Sequence, residues 1–369
     1  MREIQTERKV TFAIISIIFL SGIFFGLNFT NTNSDFLIKT PQPIEVESSS
    51  DLQPLESKKK VDLFENYDID EQQSMQELIT FALEKINDDR LEHGLTPVKL
   101  GNNQAAQDHV ENMMDFEYFS HWNSDGVKPY VTYTKYDGKA YVKENIAASW
   151  CEGFSCKMNP SELIEKFQYL MVYDDAESNW GHRDNILDPN HTLVNIGLAW
   201  NNNNFYFAQH FETKLIDFKK LSFSDDKILR MTGKIQDNYT LKSINLFKDD
   251  TPLFLTGNDL ESNSPYNQNF YNPGTLAGIL INEPKLFEFY DECQNGKIPI
   301  ISGDQEMCLP YETFGKINDQ NSFEIAVDLS KIVDGYGIHT MYINLENPNG
   351  EGVIATSITL EYLDRNLEK

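Results

Sequence analysis

Gly181-His182-Arg183-Asp184-Asn185-Ile186-Leu187 is the stretch on which the reading of this chain turns. Two earlier islands go with it, Phe119-Ser120-His121 and Glu144-Asn145-Ile146-Ala147. Each sets one histidine or acid among small, polar and apolar residues. A fold that joins them puts two imidazoles and a carboxylate on one wall. Such a set binds a divalent metal or moves protons.

The rest of the composition bounds what that wall can serve. The chain has 369 residues, and 40% are hydrophobic, enough for real cores. Its length predicts two folded units plus connectors. Acids outnumber bases 57 to 31, a net charge of −26. That surface repels phosphate backbones and excludes nucleic acid as a partner class, while it suits solubility in a salty or extracellular medium.

Arg2, Arg8 and Lys9 precede an apolar run from Val10 to Leu27. The run is near the lower limit of a spanning helix, roughly 17–25 residues. Basic residues on its N-terminal side keep that end in the cytoplasm and export the remainder. Bulky Phe24, Phe25 and Leu27 leave no small-x-small cleavage site, which favours an uncleaved anchor over a signal peptide. The expected location is the extracellular face of the membrane, or the medium if the segment is cleaved.

Four cysteines fit export. Cys151 and Cys156 are neighbours, and Cys293 and Cys308 form a second local pair, so two disulfides are expected. The second would contribute about 3 kcal/mol through loop closure.

Five regions follow from patterning: a basic end at 1–9, the apolar segment at 10–27, a polar linker at 28–71, a mixed α and β unit at 72–217, and a β-rich unit at 218–369. In the mixed unit at 72–217, Met75, Leu78, Ile79, Ala82, Leu83 and Ile86 repeat with helical spacing. A second helix begins near Asn102 or Asn103. It sets His109 among apolar neighbours, where a packing role is the default. Asn159 and Pro160 open a third helix. Val194 to Trp200 and Phe205 to Phe211 alternate as strands, joined by four asparagines suited to a hairpin turn. His210 falls opposite Phe207 and Phe211, and is read as a solvent or inter-layer residue. After Phe218 come short alternating runs divided by Gly, Asn and Asp clusters, the pattern of an all-β sandwich.

Four features, in order along the chain, resemble the CAP superfamily of cysteine-rich secretory proteins, antigen 5 and pathogenesis-related 1 proteins. They are the helix ending in Asn87 to Val98, the aromatic-Ser-His at Phe119 to His121, the Glu-Asn-Ile-Ala at Glu144, and the Gly-His-Arg-x-Asn-Ile-Leu at Gly181. The resemblance implies an α+β fold: a three-layer α-β-α sandwich at 72–217, followed here by the β-rich unit. It also implies a cleft with two histidines and two acids. His121, His182 and Glu144 supply three of these. The second acid is expected near Leu170 or Met171, which are apolar. Glu177 is its candidate replacement, with Asp174 and Asp175 beside it.

The resemblance implies a Zn2+ ion or another divalent cation as cofactor, held by His121, Glu144, His182 and Glu177. The expected function is an exported, membrane-anchored binding module for a cell-surface or extracellular ligand. A metal-dependent peptidase or esterase with Glu144 as general base is the alternative, and a lipid carrier the third. The unmatched second acid weighs against catalysis. His121 and His182 can also simply brace Glu144 and hold the cleft walls.

Overall fold

The computed structural model describes residues 74–151, 157–268, 270–282, 293, 297–302, 305–314, 321–335 and 337–362. The predicted anchor, the linker and Cys156 lie outside these residues. Among the described residues, no helix is long and apolar enough to cross a membrane.

The first helix, α1 (Met75–Glu92), opens with a capping box. The Glu77 N–H donates to Ser74 Oγ, and the Ser74 N–H donates to Glu77 Oε2 at 2.7 Å, so two otherwise unpaired donors are satisfied. Leu78, Ala82 and Ile86 line its buried face. Each of the two larger side chains contributes about 2 kcal/mol by leaving water. Then come β1 (Lys99–Leu100), α2 (Ala105–Phe116), α3 (Pro129–Lys135), β2 (Tyr141–Trp150), α4 (Pro160–Tyr173), a short 3-10 turn (Ala176–Ser178), α5 (Gly181–Ile186), β3 (Leu193–Trp200) and β4 (Asn204–Thr213). Asn159 sits at the cap of α4, but its amide donates to Glu162 instead of accepting a backbone N–H.

The strands form one sheet in the order β1-β3-β4-β2, with β2 and β3 antiparallel to β4. Alternation decides what each face meets. Phe205, Phe207 and Phe211 pack with Leu78, Ile86, Ile164 and Phe167 of α1 and α4. Tyr206, Ala208, Ile146 and Ala148 pack with Ala106, Val110 and Met113 of α2. Helices thus cover both faces. At Gly197 a Cβ would stand 2.1 Å from the Ala106 carbonyl, so only glycine lets α2 lie this close to β3. That approach sets His109, one turn further on, down against the sheet.

The remaining chain is β-rich. It contains β5 (Ile216–Phe223), β6 (Ile228–Ile235), β7 (Thr240–Lys248), α6 (Gly257–Ser262), β8 (Thr275–Ile281), β9 (Lys297–Ser302), β10 (Gln305–Thr313), β11 (Ser322–Asp328), β12 (Gly337–Glu346) and β13 (Gly352–Tyr362). A six-stranded sheet, β13-β12-β7-β8-β10-β9, packs on a three-stranded one, β11-β6-β5. Leu229, Met231, Ile325 and Val327 of the small sheet share one core with Ile244, Leu246, Met341 and Ile343 of the large. β5 starts before the boundary expected at 217/218, so the junction runs through a strand. Cys293 and Cys308 form a disulfide, and Cys151 is disulfide-bonded.

The two regions are bolted together by buried polar groups. Lys128 Nζ and the Tyr130 hydroxyl donate to Asp249 Oδ1 at 2.9 and 2.5 Å, and Thr340 Oγ1 donates to Oδ2 at 2.5 Å.

Candidate metal centre

Glu144 is the hub. It lies on β2 directly opposite His210 of β4, and both side chains project toward the α2 layer. Its side chain is fully buried. Oε2 accepts from His109 Nδ1 at 2.7 Å and from His210 Nε2 at 2.6 Å. Oε1 accepts from His121 Nδ1 at 2.6 Å. Burial pushes the carboxyl up, but His109 and the three imidazole hydrogen bonds outweigh it and hold it well below the usual carboxylate range. An ionised carboxylate therefore meets three N–H donors.

The histidines respond differently. Burial draws His109 down, but Glu144, helped by Asp108, leaves its pKa raised. At His121 burial prevails, reinforced by His109 and His182, and the pKa is lowered.

The loop that carries His121 is held by its own side chains. The Trp122 N–H donates to Ser120 Oγ at 3.1 Å. Asn123 Oδ1 accepts the N–H groups of Asp125 and Val127, a side-chain turn of the kind asparagine favours. Asn112 Oδ1 accepts from the Tyr118 hydroxyl and the Ser124 N–H.

His182 has a different carboxylate. Its Nδ1 lies 2.6 Å from Asp175 Oδ1, with Ser178 Oγ beside both. Asp175 Oδ2 accepts the N–H groups of His182 and Arg183 at the start of α5. A carboxylate there also favours the helix dipole. Asp175 is buried, whereas Glu177, two residues on, is exposed. The acid that meets a site histidine is thus Asp175. It was legible as a buried acid seven residues before His182 only once the short 3-10 turn folds back.

The two halves meet through Asn145. Its amide donates to the His182 carbonyl and to Gln209, and its Oδ1 accepts from Asn185. This explains the Glu-Asn pairing in sequence: Glu144 faces the α2 layer, and its neighbour faces α5.

Each of the four imidazoles therefore has one ring nitrogen on a carboxylate. The other, Nε2 of His109, His121 and His182 and Nδ1 of His210, is buried without a hydrogen-bond partner. Leaving such a group unpaired costs about 1–3 kcal/mol. A cavity of about 10 Å³ lies between His109, His121 and His210, bordered by Asn123 and Thr132. That is room for about one water-sized body. His109, Glu144 and His210 offer ligand atoms within 4.8 Å of one another, a group that can hold a metal. An imidazole that gives one N–H to a carboxylate and turns its second nitrogen inward is the usual arrangement around zinc. The donor set fits a divalent ion of the zinc class.

His109 and His210 join the site although the pattern assigned them packing and inter-layer roles. The available signal was His210's place on a strand face shared with Tyr206 and Ala208, a polar side chain directed at a covered face.

Residues 83–211 match the family described as the Cysteine-rich secretory protein family, CAP, and this part of the chain is a CAP domain. Among solved structures the chain is similar to an extracellular protein containing an SCP domain from Bacillus anthracis str. Ames, at 20% identity and a TM-score of 0.30, over 38% of this chain and 41% of that one. It is similar to an outer surface protein of Borrelia burgdorferi at 11% identity and a TM-score of 0.30, over 39% and 98%. A CAP domain of enterococcal PrgA matches at 18% identity and a TM-score of 0.27, over 39% and 64%. The chain therefore spans less than half of the Bacillus protein's solved length. No curated protein matches it.

Proposed function

We propose that the protein is an exported CAP-domain binding module, anchored through residues 10–27, whose imidazole cluster holds one divalent metal ion of the zinc class. The observation that carries the metal reading is the set of four buried imidazoles each with one unpartnered ring nitrogen, three of which, His109, His121 and His210, line a cavity sized for one small body. Glu144 and Asp175 would act mainly as acceptors that fix the ring tautomers, and His109, His121 and His210 would face the ion, with His182 alongside.

The same geometry favours binding over hydrolysis. A peptidase needs its water beside a substrate-sized cleft, and this cavity admits no peptide bond or acyl chain. The β-rich region and the linker suit presentation of the CAP domain at a surface, where an extracellular or cell-surface ligand would be met. Elemental analysis of the purified protein tests this reading. About one zinc per chain is expected, lost in the double variant His109→Ala plus His210→Ala. Absence of metal after incubation with Zn2+ would sink it. Sequencing the mature N-terminus separates an anchor, with residues 10–27 retained, from a cleaved leader.

A further inference from the structure

The loop bearing His121 is not held by the CAP domain alone. Chain from beyond the family match, between β7 and β8, returns to it along its whole length. The N–H groups of Leu253 and Leu255 donate to the carbonyls of Asp125 and Ser124 at 3.2 and 2.7 Å. Gly257 packs against the Phe116 carbonyl, where a Cβ would come within 2.3 Å. Leu255 and Leu260 share a core with Tyr118, Phe119 and Trp122. Tyr266 grips both neighbours of His121: its carbonyl accepts from Ser120 Oγ at 2.6 Å, and its ring meets the Trp122 indole edge-on at 6.0 Å.

Tyr271 completes the contact at the site itself. Its ring centroid lies 5.1 Å from that of His121. Its hydroxyl accepts the backbone N–H of Glu144 at 3.2 Å. One side chain from the C-terminal region thus touches both the hub carboxylate's residue and an imidazole bonded to it.

We propose that Tyr271, with the strap that carries it, is a positioning and closing element of the imidazole site, restricting it to a single metal ion in slow exchange. The proposal rests on the metal reading for its ligand, but the closing role has its own physical content. Aromatic contact and the Glu144 N–H bond fix the His121 ring from the side of the large sheet. Removing the hydroxyl leaves a buried N–H without an acceptor, and removing the ring opens the space above His121. Tyr271 acts through His121 and Glu144, and is a positioning residue.

The test compares the full protein with Tyr271→Phe and Tyr271→Ala. Two rates are read: release of Zn2+ to a chelator, and modification of each histidine by diethyl pyrocarbonate, located by mass spectrometry. In the unaltered protein His121 should react far more slowly than half-exposed His93. Tyr271→Ala should speed zinc release and His121 modification at least tenfold, the scale of one lost buried hydrogen bond. Tyr271→Phe, which keeps the ring, should move both in the same direction by less. His191, buried against Asn185 and Thr213, should stay protected. Unchanged rates in the folded variants overturn the proposal, and so does an equal rise at His191, which would mean general loosening. Should Tyr271→Ala fail to fold, Tyr271→Phe alone decides. If the unaltered protein takes up no zinc, the metal reading falls, and the modification rates still judge the strap.

Discussion

Glu144 and His210 stand in direct register across the β2–β4 pair, with Oε2 and Nε2 2.6 Å apart. Sixty-six residues separate them along the chain. Replacing Glu144 by Ala would strand three imidazole N–H groups in a dry interior. A loss of about 3–5 kcal/mol is expected, as when one partner of a buried pair is removed. Urea denaturation would read it as a lower midpoint at an unchanged slope. A loss below about 1 kcal/mol would mean that the cluster contributes little.

Asp175 and Glu177 offer a contrast within two residues. Asp175→Asn should weaken zinc binding by about 10–100-fold, the usual effect of losing an acceptor behind a ligand. It should also destabilise α5, whose first N–H groups it caps. Glu177→Gln, at an exposed carboxylate, should change neither. Competition against a chelating dye measures both variants, and equal losses would refute the assignment of Asp175.

His191 predicts the acid limb of stability. Burial lowers its pKa to about 3, against the partial opposing pull of Asp188. The native state therefore keeps it neutral, while the unfolded chain protonates it below about pH 6.5. Unfolded molecules bind the extra proton, so stability is present above that pH and falls as pH drops toward 3. The slope contributed is about 1.4 kcal/mol per pH unit at most. Thermal melts of His191→Gln should show a flatter decline from pH 6 to 4 than the unaltered protein. Parallel curves would rule this out.

The Asp249 bolt should couple the two regions. Asp249→Ala leaves Lys128 and Tyr130 buried with no acceptor, and a loss of about 3–5 kcal/mol is expected. Limited proteolysis should then cut between β6 and β8 before the CAP domain is degraded. If the cutting pattern is unchanged, the bolt does not hold the regions together.

Much of the fold was readable from local pattern. The repeat of Leu78, Ala82 and Ile86 reports one covered helix face, and the apolar alternation through Val194 to Trp200 reports the strand face that meets α1 and α4; both elements form where expected. The strand runs after Phe218 appear as β6, β7, β11, β12 and β13. The short helices α3 and α6 left no such trace, because seven and six residues are too few to display a helical period. His121 and Glu144 stand out in sequence and lie 2.6 Å apart. His109 and His210 looked like ordinary members of a helix face and a strand face.

What the sequence determined by itself was local: which residues can cover which face, where turns fall, and which histidines and acids sit in distinctive islands. Those depend on periods of two and 3.6 residues, which act over a few positions. Only the tertiary structure decided which carboxylate each imidazole meets. Strand register set His210 against Glu144, the close approach at Gly197 lowered His109 onto them, and the turn before α5 brought Asp175 rather than Glu177 to His182. It also brought Tyr271 to His121 from a region that no local pattern joins to the CAP domain. Hydrogen bonds form over about 3 Å, so partners this far apart in sequence are chosen only when the packed layers fix their positions.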